Sequence, residues 1–261
     1  MLKKIGLLVA VELKALKRKY KEPYKTDSYV GYEVLRYQMD GWECYAVHTG
    51  AGEIAAAAGT QLLISVYHVD MILNFGVVGA LTEEMTHHRI CVVKEVVHYD
   101  FDTSVADGCE VGRYLEYPTI YIPTTESLWQ DAVKQNVDLK PVVCASADKF
   151  IETAEKKQEL HRIFKADICE MEAAGIVLTC NRNRVPCLLI KMVADGLEGG
   201  LEEFKKEFHT SSDICLEVMT GVVHGFVEKA KQESETGGIR TDEKFVYDCS
   251  NDGKNESNRQ E

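Results

Sequence analysis

Two glutamates flank one methionine in the stretch ICEMEAAG, residues 168–175, where an apolar run gives way to a helix. Carboxylates at a helix start are stabilised by the unpaired amides and partial positive charge of the first turn. A carboxylate there can also meet a ligand, so Glu170 and Glu172 carry two competing readings. Three further segments offer comparable chemistry: NFGVVGAL (74–81), SADKFI (146–151) and VADG (193–196). Glycines such as Gly76 let backbone approach a ligand closely, and Asp195 closes an apolar run. Each segment alone has an ordinary reading, since Asp-Gly is a common turn pair and glycine often only ends a strand. Their shared position is more telling, because ligands of parallel α/β sheets sit outside the carboxyl ends of the strands.

The elements that would position these residues follow from hydrophobic periodicity. Residues 4–10 (KIGLLVA) read as a core strand leading into a helix at 12–20. Residues 30–38 and 42–48 alternate around Asp40-Gly41, a hairpin signal. GAGEIAAAAGTQLLISVY (50–67) is an Ala-rich helix that starts at glycines. VDMILNFG (69–76) is a continuous apolar run, as a strand covered on both faces should be. Further strands are expected at 89–97, 117–122, 141–146 and 185–195, and helices at 125–135, 153–163, 171–183 and 201–231. Strands alternating with helices imply a single α/β domain with a mixed, mostly parallel central sheet flanked by helices. Residues 1–231 form that domain, and the polar segment 232–261 reads as a flexible tail.

Composition narrows the function. With 45% apolar residues the chain can bury a sizeable core, and a net charge of −12 argues against nucleic acid or an anionic membrane as partner. The longest apolar runs are too short to span a bilayer. MLKKIGLLVAVELKAL superficially suggests a signal peptide, but Glu12 and Lys14 interrupt it and no small-residue cleavage site follows, so a buried strand is the better reading. The nine cysteines form no C-x-x-C pair, which argues for ordinary buried thiols in a reducing cytoplasm and against a zinc site. His87 and His88 are adjacent, poorly placed to share a metal, and read as a solvated loop. No metal or organic cofactor is implied.

The order and spacing of IGLLVAVE, TGAGEIAAA, NFGVVGAL, HYDFD (98–102), SADKFI, EMEAAGI and VPCLLIKMVAD are more specific than any one of them. Over roughly residues 3–230 the chain resembles the nucleoside phosphorylase and nucleosidase superfamily, and within it the 5′-methylthioadenosine/S-adenosylhomocysteine nucleosidases. The resemblance implies one α/β domain around a distorted sheet, a homodimer, and hydrolysis of a purine nucleoside. It implies that Asp195 protonates the purine N7 as the glycosidic bond breaks. General acid catalysis of this kind contributes about 10²–10⁴-fold, and the acid must be held protonated by a partly desolvated site. By the same resemblance Glu172 accepts hydrogen bonds from the ribose hydroxyls, Met171 packs on the sugar, Phe150 stacks on the base, and the backbone of Ile151 reads its edge. Gly76 and Val77 belong to the loop near the attacking water. Glu170 is then the helix-start carboxylate, and Asp100 and Asp102 carry no chemistry.

The departures from the family pattern fall around the nucleophile. Valine stands at 77 and alanine at 194 where the family carries serine, and Lys191 stands for an arginine. A gap-free alignment puts Lys14 where the water-activating glutamate belongs, with Glu12 two residues earlier. Two residues along a helix turn about 200°, so Glu12 can serve as general base only if the local geometry is not helical. Two alternatives stay open on the sequence: phosphorolysis, with Lys14 supplying charge to phosphate, and a nucleoside-binding protein that has lost catalysis. The first lacks arginines, with none in residues 37–88, although the phosphorylases hold one at a strand position that falls near Asn74. Residues 196–209, glycine-rich and then charged, read as a mobile lid or as a loop before a helix.

Overall fold

The computed structural model describes residues 4–235. In chain order the elements are β1 (Lys4–Val9), α1 (Leu13–Tyr20), β2 (Lys25–Tyr29), β3 (Tyr32–Met39), β4 (Trp42–His48), α2 (Glu53–Tyr67) and β5 (Met71–Ala80). There follow α3 (Glu83–His88), β6 (Ile90–His98), α4 (Ser104–Asp107), β7 (Ile122–Pro123), α5 (Glu126–Gln135) and β8 (Lys140–Ser146). The last are α6 (Ala154–Phe164), β9 (Ile168–Glu170), α7 (Ala173–Asn183), β10 (Cys187–Asp195) and α8 (Leu201–Glu235).

All ten residues of β5 are buried, and the sheet is organised around it. One edge of β5 pairs in parallel with β10 from Ile72 to Gly79. Its other edge pairs in parallel with β1, ending at Leu8–Asn74, and then antiparallel with β9, starting at Gly79–Cys169. Because β10, β6, β8 and β9 also pair in succession, the sheet closes on itself at β5, while β1, β4, β3 and β2 extend it outward. The sheet is therefore mixed and distorted. The edge of β5 between its β1 and β9 pairings carries the candidate site.

Helices cover both faces. Clusters around Leu8, Leu63, Ile72 and Val177 and around Leu16, Leu73, Phe75, Cys215 and Met219 form two main bodies of core.

Three expectations need correction. The strand expected at 117–122 shrinks to Ile122–Pro123. Pro118 has no amide for a ladder, and the guanidinium of Arg113 instead takes the carbonyls of Tyr117 and Thr119 in an irregular loop. The edge strand β2, KTDSY, has no apolar alternation to betray it, and β9 is only three residues long. His87 and His88 lie exposed on the short helix α3, not in a loop. Helix α8 runs past 231 to Glu235, and the rest of the expected tail lies outside the described residues.

Candidate active site

A cavity of about 290 Å³ opens at the carboxyl ends of β1, β5, β9 and β10. Seven of the eight site residues expected from the sequence line it, namely Glu12, Val77, Phe150, Ile151, Met171, Glu172 and Asp195, and so does Glu170. Gly76 lies just behind Glu12. A Cβ at Gly76 would come within 2.9 Å of Glu12 Oε1 and 3.6 Å of Lys191 Nζ, so the missing side chain is what admits both groups.

Glu12 stands at the turn between β1 and α1. Its Oε1 accepts the Val77 amide at 3.1 Å, and its Oε2 accepts the Val11 amide at 3.0 Å. The Val77 amide lies on the stretch of β5 edge left unpaired between β1 and β9, so a carboxylate completes what a strand does not. The helical geometry that disfavoured Glu12 does not apply, because α1 begins only at Leu13 and Glu12 sits outside it with φ −88° and ψ 20°. Lys14 is exposed and does not line the cavity. Burial raises the Glu12 carboxyl above its ordinary value, against the pull of Lys191 and the two amides.

The two glutamates of ICEMEAAG divide their work. Glu170 accepts the amide of Ala173 at 3.0 Å and that of Glu172 at 3.1 Å, which caps α7. It also pairs with Lys191 Nζ at 3.1 Å, both side chains almost wholly buried. Burial pushes the Glu170 carboxyl up, but Lys191, Ser146 and the α7 amides outweigh it and leave the group below its ordinary value. Burial likewise works against the Lys191 charge, and Glu170 and Glu172 overcome it and hold the ammonium charged.

Glu172 faces the cavity. Its Oε1 accepts the Gly52 amide at 3.0 Å, and Gly52 has φ +109°, a conformation that favours glycine. Burial and the neighbouring Glu170 charge raise its carboxyl to about 7. Met171 lies beside it on the cavity wall. At the mouth Phe150, 44% exposed, meets Phe204 edge-on at 5.3 Å. Phe204 and Phe208 come from α8, so the 196–209 region supplies part of the wall. Asp195 closes β10 against Gly79, where a Cβ would sit 3.3 Å from its Oδ2. Burial raises its carboxyl, and Lys157 partly offsets that.

Two buried groups behind the cavity were given no individual role from the sequence. Glu53 opens α2, and Ser146 ends β8 between it and Glu170. The Ser146 hydroxyl lies in hydrogen-bonding reach of both carboxyl groups, at 2.5 Å from Glu170 Oε1, and also accepts the Ala174 amide. One hydroxyl has one proton to give, so Glu53 must bring a proton of its own. Burial and the Glu170 charge raise Glu53 to about 8, in agreement. Lys157 was hidden among the charged residues of α6. Asp100 pairs with His98 at 3.1 Å, and Asp102 accepts the Ser104 amide. Among the described residues no group of acidic, His or Cys side chains could hold a metal ion.

The model of the phosphorylase superfamily matches residues 4–228. A 5′-methylthioadenosine/S-adenosylhomocysteine nucleosidase of Shewanella sediminis is 30% identical over 199 residues, covering 74% of this chain and 86% of that one. The chain belongs to this nucleosidase family, within the phosphorylase superfamily. Among solved structures, a futalosine hydrolase of Helicobacter pylori superposes with a TM-score of 0.80 at 25% identity, covering 86% of this chain and 99% of its own. The 5′-methylthioadenosine/S-adenosylhomocysteine nucleosidase of the same organism, solved with an aminopyrrolopyrimidine ligand, gives the same TM-score, identity and coverage. Of the two candidates near the start of α1, Glu12 lines the cavity and Lys14 does not.

Proposed function

We propose that the protein hydrolyses the N-glycosidic bond of a purine nucleoside of the 5′-methylthioadenosine/S-adenosylhomocysteine type. What carries the reading is that Glu12 and Asp195, two buried carboxyl groups both raised above their ordinary values, line one cavity with Glu172. In this reading Glu172 accepts hydrogen bonds from the ribose hydroxyls with Met171 against the sugar. Phe150 lies on the base, and the Ile151 backbone reads its edge. Asp195 gives its proton to the purine N7 as the bond from C1′ to N9 breaks, which neutralises the leaving group. Glu12 takes a proton from water as the oxygen bonds to C1′, so free base and free sugar result. Val77 contributes its amide, which holds Glu12, and Gly76 the space beside it.

The same residues weigh against phosphorolysis. Lys14 is exposed, Asn74 is buried and donates to the Leu8 carbonyl at 3.1 Å, and Lys191 is engaged by Glu170. The family relationship supports a homodimer, and Ile54, Val105 and Leu115 stand largely in solvent, as side chains covered by a second copy would. Eight free cysteines among the described residues support a reducing cytoplasm.

The test is incubation of the purified protein with methylthioadenosine, adenosine and inosine, each with and without phosphate, following base and sugar. Base and free sugar released without phosphate support hydrolysis. A phosphate requirement with sugar 1-phosphate as product would make it a phosphorylase. Binding without turnover would leave a nucleoside-binding protein.

A further inference from the structure

Helix α6 is a charged element with one exception in its placement. Its sequence AEKKQELHRIF carries two adjacent lysines; Lys156 is exposed, whereas Lys157 has no exposed surface at all. A buried lysine is rare and costly unless its ammonium is fully paired. Here the pairing is complete. Lys157 Nζ lies 2.5 Å from Asp195 Oδ2, 2.7 Å from the Gly196 carbonyl and 3.0 Å from the Gly199 carbonyl. An ammonium has three protons to donate, and all three find acceptors. Two of those acceptors belong to the loop that leads from β10 into α8, the helix that brings Phe204 and Phe208 to the cavity. The third is the carboxyl group that the proposed reaction uses as its acid.

We propose that Lys157 is the positioning residue of the Asp195 acid: it holds Oδ2, leaves Oδ1 to face the base, and ties the 196–200 loop to the same point. This rests on the hydrolytic reading above. Its chemical consequence lies in the product of proton transfer. When Asp195 passes its proton to N7 it becomes an anion in a desolvated site, and the Lys157 ammonium is already in contact to stabilise that anion. No proton leaves Lys157, which stays charged before and after. The other charged or titratable groups near the pair are Glu203 of α8, whose Oε2 accepts the Gly196 amide at 2.9 Å, Arg89 at the start of β6, which pairs with Glu203 at 2.7 Å, and the Cys169 thiol of β9. Glu203 and Arg89 largely answer each other, and the buried thiol is held neutral by desolvation. Lys157 is therefore the cation that acts on Asp195 directly.

The sign of the effect is fixed. Asp195 must be protonated to act, so activity falls on the alkaline side as it ionises. Lys157 favours the ionised form, so its removal should weaken the acid and move that limb upward.

The experiment compares wild type, Lys157→Met and Lys157→Arg for kcat, KM and the pH profile of kcat/KM with methylthioadenosine. Lys157→Met should lower kcat by about 10- to 100-fold, within the range general acid catalysis supplies, with little change in KM. Its alkaline limb should rise by a unit or more, and Lys157→Arg should restore both. A lowered kcat with the limb unmoved would mean that Lys157 only supports the fold, and would overturn the proposal. A second readout needs no turnover: the carboxyl ¹³C signal of Asp195 should titrate at higher pH in Lys157→Met than in wild type. If Lys157→Met does not fold, the ¹⁵N signal of the Lys157 ammonium in wild type and Asp195→Asn reads the same pair. The Asn variant should move that ¹⁵N signal at fixed pH, and an unchanged signal would sink the idea. Wild type without turnover but with these titration shifts would reject the hydrolytic reading while leaving the Lys157–Asp195 pairing intact.

Discussion

The carboxylate of Glu12 accepts the backbone amide of Val77 at 3.1 Å, across the one stretch of β5 edge that neither β1 nor β9 covers. A strand and a turn thereby place a buried carboxyl group in the cavity beside Val77. The geometry makes Glu12→Gln an informative variant, since glutamine can keep the Val77 contact through its carbonyl while losing the Val11 contact and the capacity to take a proton. Glu12→Gln should reduce kcat by about 10²–10⁴-fold with KM near that of wild type. In wild type the rate should rise with pH through the raised Glu12 value, because the base must be ionised, and that acidic limb should be missing from the variant. Steady-state kinetics between pH 4 and 9 checks both. A fully active Glu12→Gln would remove Glu12 from the reaction.

Glu172 makes a prediction about binding instead of rate. Its carboxyl is raised to about 7 by burial and by Glu170, so it is largely protonated below that pH and ionised above it. Ribose hydroxyls are donors, and an ionised acceptor holds them more strongly. KM should therefore increase as pH falls through about 7. Glu172→Gln should cost roughly 10- to 100-fold in kcat/KM, the worth of a hydrogen bond to a charged group, and should flatten the pH dependence of KM in that window. Isothermal titration with a non-hydrolysable nucleoside analogue would give the same answer free of chemistry.

How far the sequence reached depends on the kind of signal each residue carried. Buried strands such as β5 and β10 announce themselves as unbroken apolar runs, and the cavity follows because their carboxyl ends share the segments singled out at the start. Asp195, Glu172, Phe150 and Ile151 were picked out by the family resemblance, and all four line the cavity. Glu12 was ambiguous because sequence counts residues along an assumed helix, whereas the chain turns into α1 only after it. Glu53 and Lys157 were silent for another reason. Glu53 opens a helix and Lys157 lies in a charged one, where the ordinary expectation for either residue is solvent. Only the three-dimensional contacts with Ser146, Gly175 and Asp195 reveal that both are buried.

The Lys191–Glu170 pair should matter to stability more than to the reaction. Both side chains are nearly inaccessible, and Glu170 also caps α7, the helix that follows Glu172. Lys191→Met leaves Glu170 buried without its countercharge, and breaking a buried pair from one side typically costs about 3–5 kcal/mol. The denaturant midpoint should fall accordingly, with the slope unchanged. Lys191→Met/Glu170→Gln should recover much of the loss, because the orphaned charge is gone. A double variant no more stable than the single one would show that the pair's charges are not what Lys191 contributes.

Glu53 gives the pH dependence of the fold itself. Its carboxyl is raised from an ordinary 4.5 to about 8, first by burial and then by the Glu170 charge. A carboxyl raised in the folded state binds its proton more tightly there than in the unfolded chain. Its contribution is therefore fully present below about 4.5 and is lost as pH rises through about 8; Glu172 acts in the same direction up to about 7. Stability should decline from pH 5 to pH 8.5. Glutamine mimics the protonated acid, since its amide can donate to Ser146 and its carbonyl can accept the Gly175 amide. Glu53→Gln should thus match wild type at pH 5 and exceed it at pH 8.5, as urea denaturation at the two pH values would show. An equal decline in both proteins would mean that Glu53 ionises without strain, and that the proton shared with Ser146 is not its own.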